Sequence, residues 1–346
     1  MRIDQAVDFE DNFLELAALD EAFAAEHVAL QQTIIDIKDL TKLHAAISNH
    51  GLSASLLSFI NPDNNIRAII PGIPSMETYA AQGDDAFGTL SNEALAGVVD
   101  AVKHAISKAM AHIKETFNRI MTARRLRHRN IGVLRNELQK FQDTISDRTF
   151  DEELAKKVTA KLVRYDKLIE FLDFAETVNT YATKAITLEL PTTHDGEKEW
   201  HSKLSNLSHT VFSRFPFVVD GVATAPIVSK NTYADMRYNE HAFEEIHAKI
   251  EAYIKDHLEN NDQFERDLEI LENKVEQQVA NLSVEITHTG PNGYPRNETH
   301  MTPAAETLYD AFETLSFKLY RLDGIAYKEG VLRAAMTMRG LSRLYK

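Results

Sequence analysis

The sequence predicts a mainly α protein: a multi-helix, bundle-like assembly with a long helical hairpin, irregular loops and at most a small β element. Three observations lead there. Apolar residues recur at three- and four-residue spacing through most of the chain. Glycine and proline, 13 and 9 of 346 residues, fall mainly between those stretches. The period-two alternation of a strand shows only over residues 186–190, before Pro191.

Residues 10–50 read as helix, with Phe13, Leu16, Leu19 and Phe23, then Ile34, Ile37, Leu40, Leu43 and Ile47 on the apolar side, and Gly51 as a C-terminal cap. A short apolar helix over 52–60 ends at Asn61-Pro62-Asp63, because proline pushes the residue before it out of the helical region. Pro71, Gly72 and Pro74 open a stretch to Gly88 that lacks periodicity and reads as a linker. Helix resumes with Ser91 as its N-cap; Val98, Val102, Ala105, Ile106, Ala109, Ile113, Phe117 and Ile120 form one stripe. A separate helix is expected over 131–145.

Asp151 is placed to cap a helix running through Leu154, Val158, Leu162, Tyr165, Leu168 and Leu172 to Thr183. Trp200 opens another that ends near Phe212. Pro216, Gly221 and Pro226 break the apolar segment 215–231, which reads as an irregular buried connection. The helical signal returns over 239–282, as a hairpin or coiled-coil seam turning at Asn260-Asn261-Asp262. Residues 286–303 read as a loop. Pro303 suits the first turn of a last helical region, interrupted at Gly324 and Gly330 before a basic tail.

Hydrophobic residues make up 44% and charged residues 26% of the chain, far from the low-hydrophobicity, high-charge profile of disorder. No stretch approaches the roughly 20 apolar residues needed to span a bilayer, so no integral membrane association is expected. The opening residues are acidic where a cleaved signal is basic. The absence of cysteine removes disulfides, thiolate metal sites and cysteine nucleophiles, and suits a reducing compartment.

No catalytic residue, metal site or cofactor is expected. Phosphate-loop, dinucleotide and nucleophile-elbow patterns are absent. His241, Glu244, Glu245 and His247 come nearest to metal-ligand spacing, with Glu244 and His247 related as i, i+3. Di-iron chemistry needs a second such pair on a facing helix, and the other Glu-x-x-His, Glu285 with His288, falls at a helix end. The four read as a solvated face.

The net charge of −14 opposes binding to polyanions at long range, yet the segment 103–135 runs the other way. Lys103, Lys108, Lys114, Arg119, Arg124, Arg125, Arg127, Arg129 and Arg135 stand there against the single acid Glu115. The first eight are the candidate polyanion-binding residues. They suit phosphates or anionic headgroups while the apolar stripe packs elsewhere; the alternative is that they pair with the chain's own acids.

Residues 42–44 (Lys-Leu-His), 55–63 (Ser-Leu-Leu-Ser-Phe-Ile-Asn-Pro-Asp), 70–77 (Ile-Pro-Gly-Ile-Pro-Ser-Met-Glu) and the amphipathic helix after Ser91 together resemble the internal head, or prohead core, proteins of large tailed bacteriophages. The resemblance covers about residues 30–130 and lies in the order and texture of motifs. It implies a non-enzymatic structural protein, made in the host cytoplasm and packed in the virion interior. Its implied partners are capsid or core proteins, a prohead protease and DNA. Such proteases cut after Glu with a small or apolar residue two positions earlier. Ser75-Met76-Glu77 and Ser91-Asn92-Glu93 match, so Ser75, Glu77, Ser91 and Glu93 are the candidate processing residues. Ser283-Val284-Glu285 matches too, as do Ala24-Ala25-Glu26 and Ala304-Ala305-Glu306, which illustrate chance matches.

The expected organisation is an acidic helical N-terminal region over 1–77, acting as a propeptide, a linker over 78–92 and a main helical domain over 93–346. Removing the acidic part would bare the basic helix. The alternative function is a non-enzymatic helical adaptor that binds nucleic acid or an anionic membrane through residues 103–135.

Overall fold

A computed structural model describes residues 9–51, 53, 55–56, 87–219, 221–280, 283–289, 295–301 and 303–346. The expected short helix over 52–60 falls almost wholly outside them. So does the expected linker as far as residue 86, with Ser75 and Glu77.

The fold is mainly α, as the periodicity predicts. In chain order it runs α1 (Phe9–His50), α2 (Phe87–Ile145), α3 (Glu152–Ala155), β1 (Thr159–Leu162), α4 (Tyr165–Ile186), α5 (His194–Phe212), β2 (Val218–Val219), β3 (Val222–Ala223) and β4 (Ser229–Thr232). Then follow α6 (Ala242–Ala280), β5 (Ser283–Thr289), β6 (Pro295–Met301), α7 (Pro303–Ile325), a π-helical segment (Ala326–Leu332), α8 (Arg333–Leu341) and a closing 3-10 turn (Ser342–Leu344). Among the described residues the strands form three two-stranded antiparallel sheets, β1–β4, β2–β3 and β5–β6.

Two compact units divide the chain. The first takes Met1–Ala24, Thr116–Asn273 and Asp310–Lys346; the second takes Ala25–Glu115 and Lys274–Tyr309. The divisions fall inside α1, α2, α6 and α7, so neither unit follows the expected boundaries at 77 and 93.

In the first unit, an aromatic cluster of Phe171 and Phe174 from α4 with Phe212, Phe215 and Phe217 forms the core around α5. The π-helical segment lies close against α4: a Cβ on Gly330 would stand 2.8 Å from the carbonyl oxygen of Phe171, so no larger residue fits without a shift. Phe23 of α1 stacks on Tyr320 of α7 with ring centroids 3.8 Å apart. The C-terminus is tied back by Asp151 N–H donating to Leu344 O at 2.8 Å and Lys346 N–H to Thr149 O at 3.0 Å.

In the second unit, α1 buries Leu30, Ile34, Ile37, Leu40, Leu43 and Ile47, and α2 buries Val98, Val102, Ala105, Ala109 and Ile113. Both series carry the three-and-four spacing of one helix face. His112 contacts the carboxylate of Glu26 within this unit.

Several expectations are corrected. The helices expected over 91–129 and 131–145 are one helix of 59 residues. It begins at Phe87, so residues 87–92 of the expected linker are helical and Ser91 is internal to the helix instead of its cap. Gly132 alone does not break it, since a glycine costs a helix only about 1 kcal/mol. The long hairpin expected over 239–282 is also one helix, of 39 residues. The asparagines read as a turn are held along the helix axis. Asn260 donates to Asp256 Oδ1 at 2.8 Å, four residues back, and Asn261 donates to Glu265 at 3.0 Å, four residues on.

Asp151 does cap a helix, its side chain accepting from Leu154 N–H at 2.9 Å, but that helix is a single turn. Residues 159–162 leave it to pair with 229–232 as β1–β4, and tertiary pairing overrides the local helical pattern. The extended segment expected at 186–190 is no strand: Ile186 ends α4. The helix expected to open at Trp200 opens at His194, with Thr193 accepting from Gly196 N–H at 3.2 Å as its cap.

The connection over 215–231 is irregular apart from β2, β3 and the start of β4. It buries Phe215 but leaves Val219 and Ile227 exposed. The loop expected at 286–303 is the β5–β6 hairpin with its turn outside the described residues, paired from Ser283↔Met301 to Thr289↔Pro295. Pro303 opens α7 as expected, but Gly324 and Gly330 do not interrupt it: α7, the π segment and α8 are continuous.

Candidate functional site

The stripe on α2 does not stop where its apolar residues do. Ile113, Phe117, Ile120, Arg124, Arg127, Ile131, Leu134, Leu138 and Phe141 step by four and three in strict alternation, and all are buried. Two positions that the period assigns to the core are therefore arginines. Arg124 is 1% exposed and Arg127 2%.

A guanidinium cannot shed its proton to escape burial, so its surroundings must answer it. Arg124 donates through Nη2 to Asn179 Oδ1 at 2.7 Å and through Nε to Asn261 Oδ1 at 3.0 Å. Its Nη1 lies 3.7 Å from Asp323, and its Cζ stands 4.3 Å above the Phe264 ring, a cation–π contact. Arg127 forms a close ion pair with the other oxygen of Asp323. Its Cζ lies 6.0 Å from the ring of Tyr327, in the π-helical segment.

A second layer passes the charge outward. Asn179 Nδ2 donates to Asp256 at 2.5 Å, and Asn261 Nδ2 to Glu265 at 3.0 Å. Each asparagine thus accepts from Arg124 on one side and donates to a carboxylate on the other, a chain in which the hydrogen bonds polarise one another. One helix, α6, supplies Asn261, Phe264, Asp256 and Glu265, which is why it continues unbroken through the expected turn.

The histidine and tyrosines around this centre are held neutral. His257 is buried 5.8 Å from the ring of His128. Burial, then the charges of Arg124, Arg127 and His128, press its pKa down to about 2. Burial raises the pKa of Tyr253 and Tyr327, against the pull of the arginines. Burial likewise lowers both guanidiniums from their ordinary value. Among the described residues, Arg127 Nε and His257 Nε2 have no hydrogen-bond partner.

The other candidate residues lie apart. Arg125 and Arg129 are 63% and 67% exposed, each beside one carboxylate: Glu265 at 3.7 Å and Glu15 at 3.6 Å. They flank a groove of about 470 Å³ that Ala18, Leu19 and Leu126 line. Arg119 is half-buried in the first unit. Lys103, Lys108 and Lys114 are exposed on α2 in the second unit. The basic island is therefore not one surface, and the reading of Arg124 and Arg127 as polyanion ligands is corrected: no phosphate reaches a side chain held in a core.

Ser91 and Glu93 lie within α2, several residues in from Phe87, contrary to the exposed, extended setting expected of a cleavage site. The histidine–glutamate group does not converge. His241 is exposed beside Glu240, Glu245 accepts from the Tyr165 hydroxyl, and His247 is buried with Nδ1 3.6 Å from Glu251. Glu285 and His288 lie on a β-strand, where i, i+3 spacing loses its helical meaning. Among the described residues no group of three or more His, Asp or Glu side chains could hold a metal, and no helix is long and apolar enough to cross a membrane.

Fold and site together define a mainly α protein with two arginines, Arg124 and Arg127, folded inward and answered by its own side chains. No family model matches the chain, no curated protein shows significant similarity to it, and no solved structure matches it.

Proposed function

We propose that the chain is a non-enzymatic structural protein of the virion interior, of the internal-head type that its N-terminal third resembles. One observation carries the structural reading: the arginines best clustered for chemistry or polyanion binding serve as an internal clamp between α2, α4, α6 and α7. Charge used in this way serves the packing of helices and is not presented to a ligand.

Processing on this reading occurs after Glu77. The alternative bond after Glu93 is inside α2, whose hydrogen bonds oppose the extended form that a protease cleft accepts. The test is the N-terminal sequence and denatured mass of the chain recovered from particles. A start at Thr78 is expected; a full-length chain removes the processing step, and absence of the chain from particles removes the reading itself.

A second reading, a helical adaptor for nucleic acid or an anionic membrane, draws on the exposure of Arg125 and Arg129, whose carboxylate contacts are loose. It predicts salt-dependent binding to DNA or anionic vesicles that Arg125→Gln with Arg129→Gln abolishes. Binding unchanged in that double variant excludes it.

A further inference from the structure

A second groove, of about 580 Å³, opens on the first unit beside the start of α4. Phe171 and Phe217, stacked at 4.3 Å, line it with Pro216 and Met236, and Arg164 and Lys167 stand at the same opening. Ile227 belongs to the same lining, on a segment without secondary structure, and is 88% exposed. The β2–β3 hairpin, whose flanking residues Phe217 and Thr224 also line the groove, exposes Val219 and Val222. Single exposed apolar residues need no explanation, but contiguous apolar patches mark interaction sites.

We propose that this face joins two copies of the chain about a two-fold axis, the Ile227 of each copy entering the groove of the other. In a two-fold interface the same patch meets itself, so a knob and the hole that receives it must share one face. Ile227 and the groove do so.

Charge argues for a second copy as the occupant. At −14 the molecule repels itself over most approaches, yet this rim is neutral. Arg164 pairs with Asp166, and Lys167 donates to Glu170 at 2.8 Å, all four partly exposed. Along the chain their order is positive, negative, positive, negative. A two-fold axis reverses that order, and the reversed order is its complement. Arg164 of one copy then faces Glu170 of the other, so the rim pairs across the interface without net charge. The inference does not rest on the virion reading.

Sedimentation equilibrium of the full chain tests it, from about 1 to about 200 μM, where standard interfaces reveal themselves. The wild type is expected to pass from monomer to dimer over that range. Ile227→Glu, at an exposed position that leaves circular dichroism and Tm unchanged, is expected to weaken association about thirtyfold, a hot-spot loss. Arg164→Glu and Glu170→Arg are each expected to weaken it, and the double variant to restore it. Arg164 also feels Glu170 within one copy, so the decisive arm is an equimolar mixture of the two single variants: its heterodimer sets opposite charges at both contacts between copies and is expected to regain association.

A wild type that stays monomeric throughout, or a dimer indifferent to Ile227→Glu, overturns the proposal. So does an apolar dye such as anilinonaphthalene sulfonate that saturates the groove of a monomer and is lost in Ile227→Glu, which would assign the groove to a small ligand.

Discussion

Asp323 of α7 sets one carboxylate oxygen against Arg127 and the other 3.7 Å from Arg124, so a single acid answers two guanidiniums inside the first unit. Removing one partner of a buried pair leaves a charge that nothing compensates. Asp323→Asn is therefore expected to destabilise the protein by about 3–5 kcal/mol, read from urea midpoints at constant m. The triple replacement Arg124→Met, Arg127→Met, Asp323→Leu, which removes charge from all three positions, is expected to recover only part of that loss, because Asn179 and Asn261 then lose the donor they share. A cost below about 1 kcal/mol for Asp323→Asn would mean that the pair behaves as a surface pair.

Asn261 is the hinge of the relay from Arg124 to Glu265. Replacing it by Leu improves helix propensity but strips the acceptor from Arg124 Nε, and an unanswered buried donor costs about 1–3 kcal/mol. Asn260→Leu, one residue away, loses only bonds along its own helix and is expected to cost less than about 1 kcal/mol. Equal effects at the two positions would show that the relay contributes nothing.

His257 makes stability fall in acid. Its folded pKa of about 2 lies below the unfolded value near 6.5, so below that unfolded value the unfolded chain binds the proton that the fold refuses. The contribution is complete above about pH 6.5 and declines by about 1.4 kcal/mol per pH unit toward the folded pKa. Between pH 7 and pH 5 the wild type should lose about 2 kcal/mol more than His257→Leu. Denaturant midpoints at the two pH values, compared between the proteins, isolate this residue from other titrating groups. Parallel losses would place the proton elsewhere.

Gly330 is fixed by proximity to Phe171. An alanine there meets the Phe171 carbonyl oxygen at 2.8 Å, and overpacking of this kind costs about 1–3 kcal/mol. Gly132→Ala is the control: a Cβ there meets nothing within 4 Å, and this helix-interior change is expected to raise stability by about 1 kcal/mol. Opposite signs for the two Tm shifts are the expected result.

The long helices were legible because three-and-four spacing persists in them whatever they pack against: α1, the apolar stripe of α2, and the start of α7 at Pro303 all follow from it. The missed continuities share a cause. Asn260-Asn261 and Gly330 are breakers only when nothing else holds the chain. Here relay bonds, or close helix contact in the case of Gly330, favour the helix. The strands β1 and β4 arise from pairing between segments about 70 residues apart, which no local window contains. The buried centre was visible in principle, since Arg124 and Arg127 fall on the period of the apolar stripe. Reading them as part of a basic cluster weighed their charge above their phase. Asp323 and Asn179 carried no comparable signal; only the fold brings them to the arginines.

The stacking of Phe23 on Tyr320 changes what a scissile event at Glu77 would accomplish. α1 buries Leu16 and Phe23 in the first unit and Leu30, Ile34 and Ile37 in the second. Severing the backbone beyond its end would leave a nicked, two-piece molecule with α1 still seated. Liberating that fragment would then require a mechanical or chemical push large enough to open both hydrophobic interiors. A cut beyond α1 would thus act as a latch that stays shut until such a push arrives.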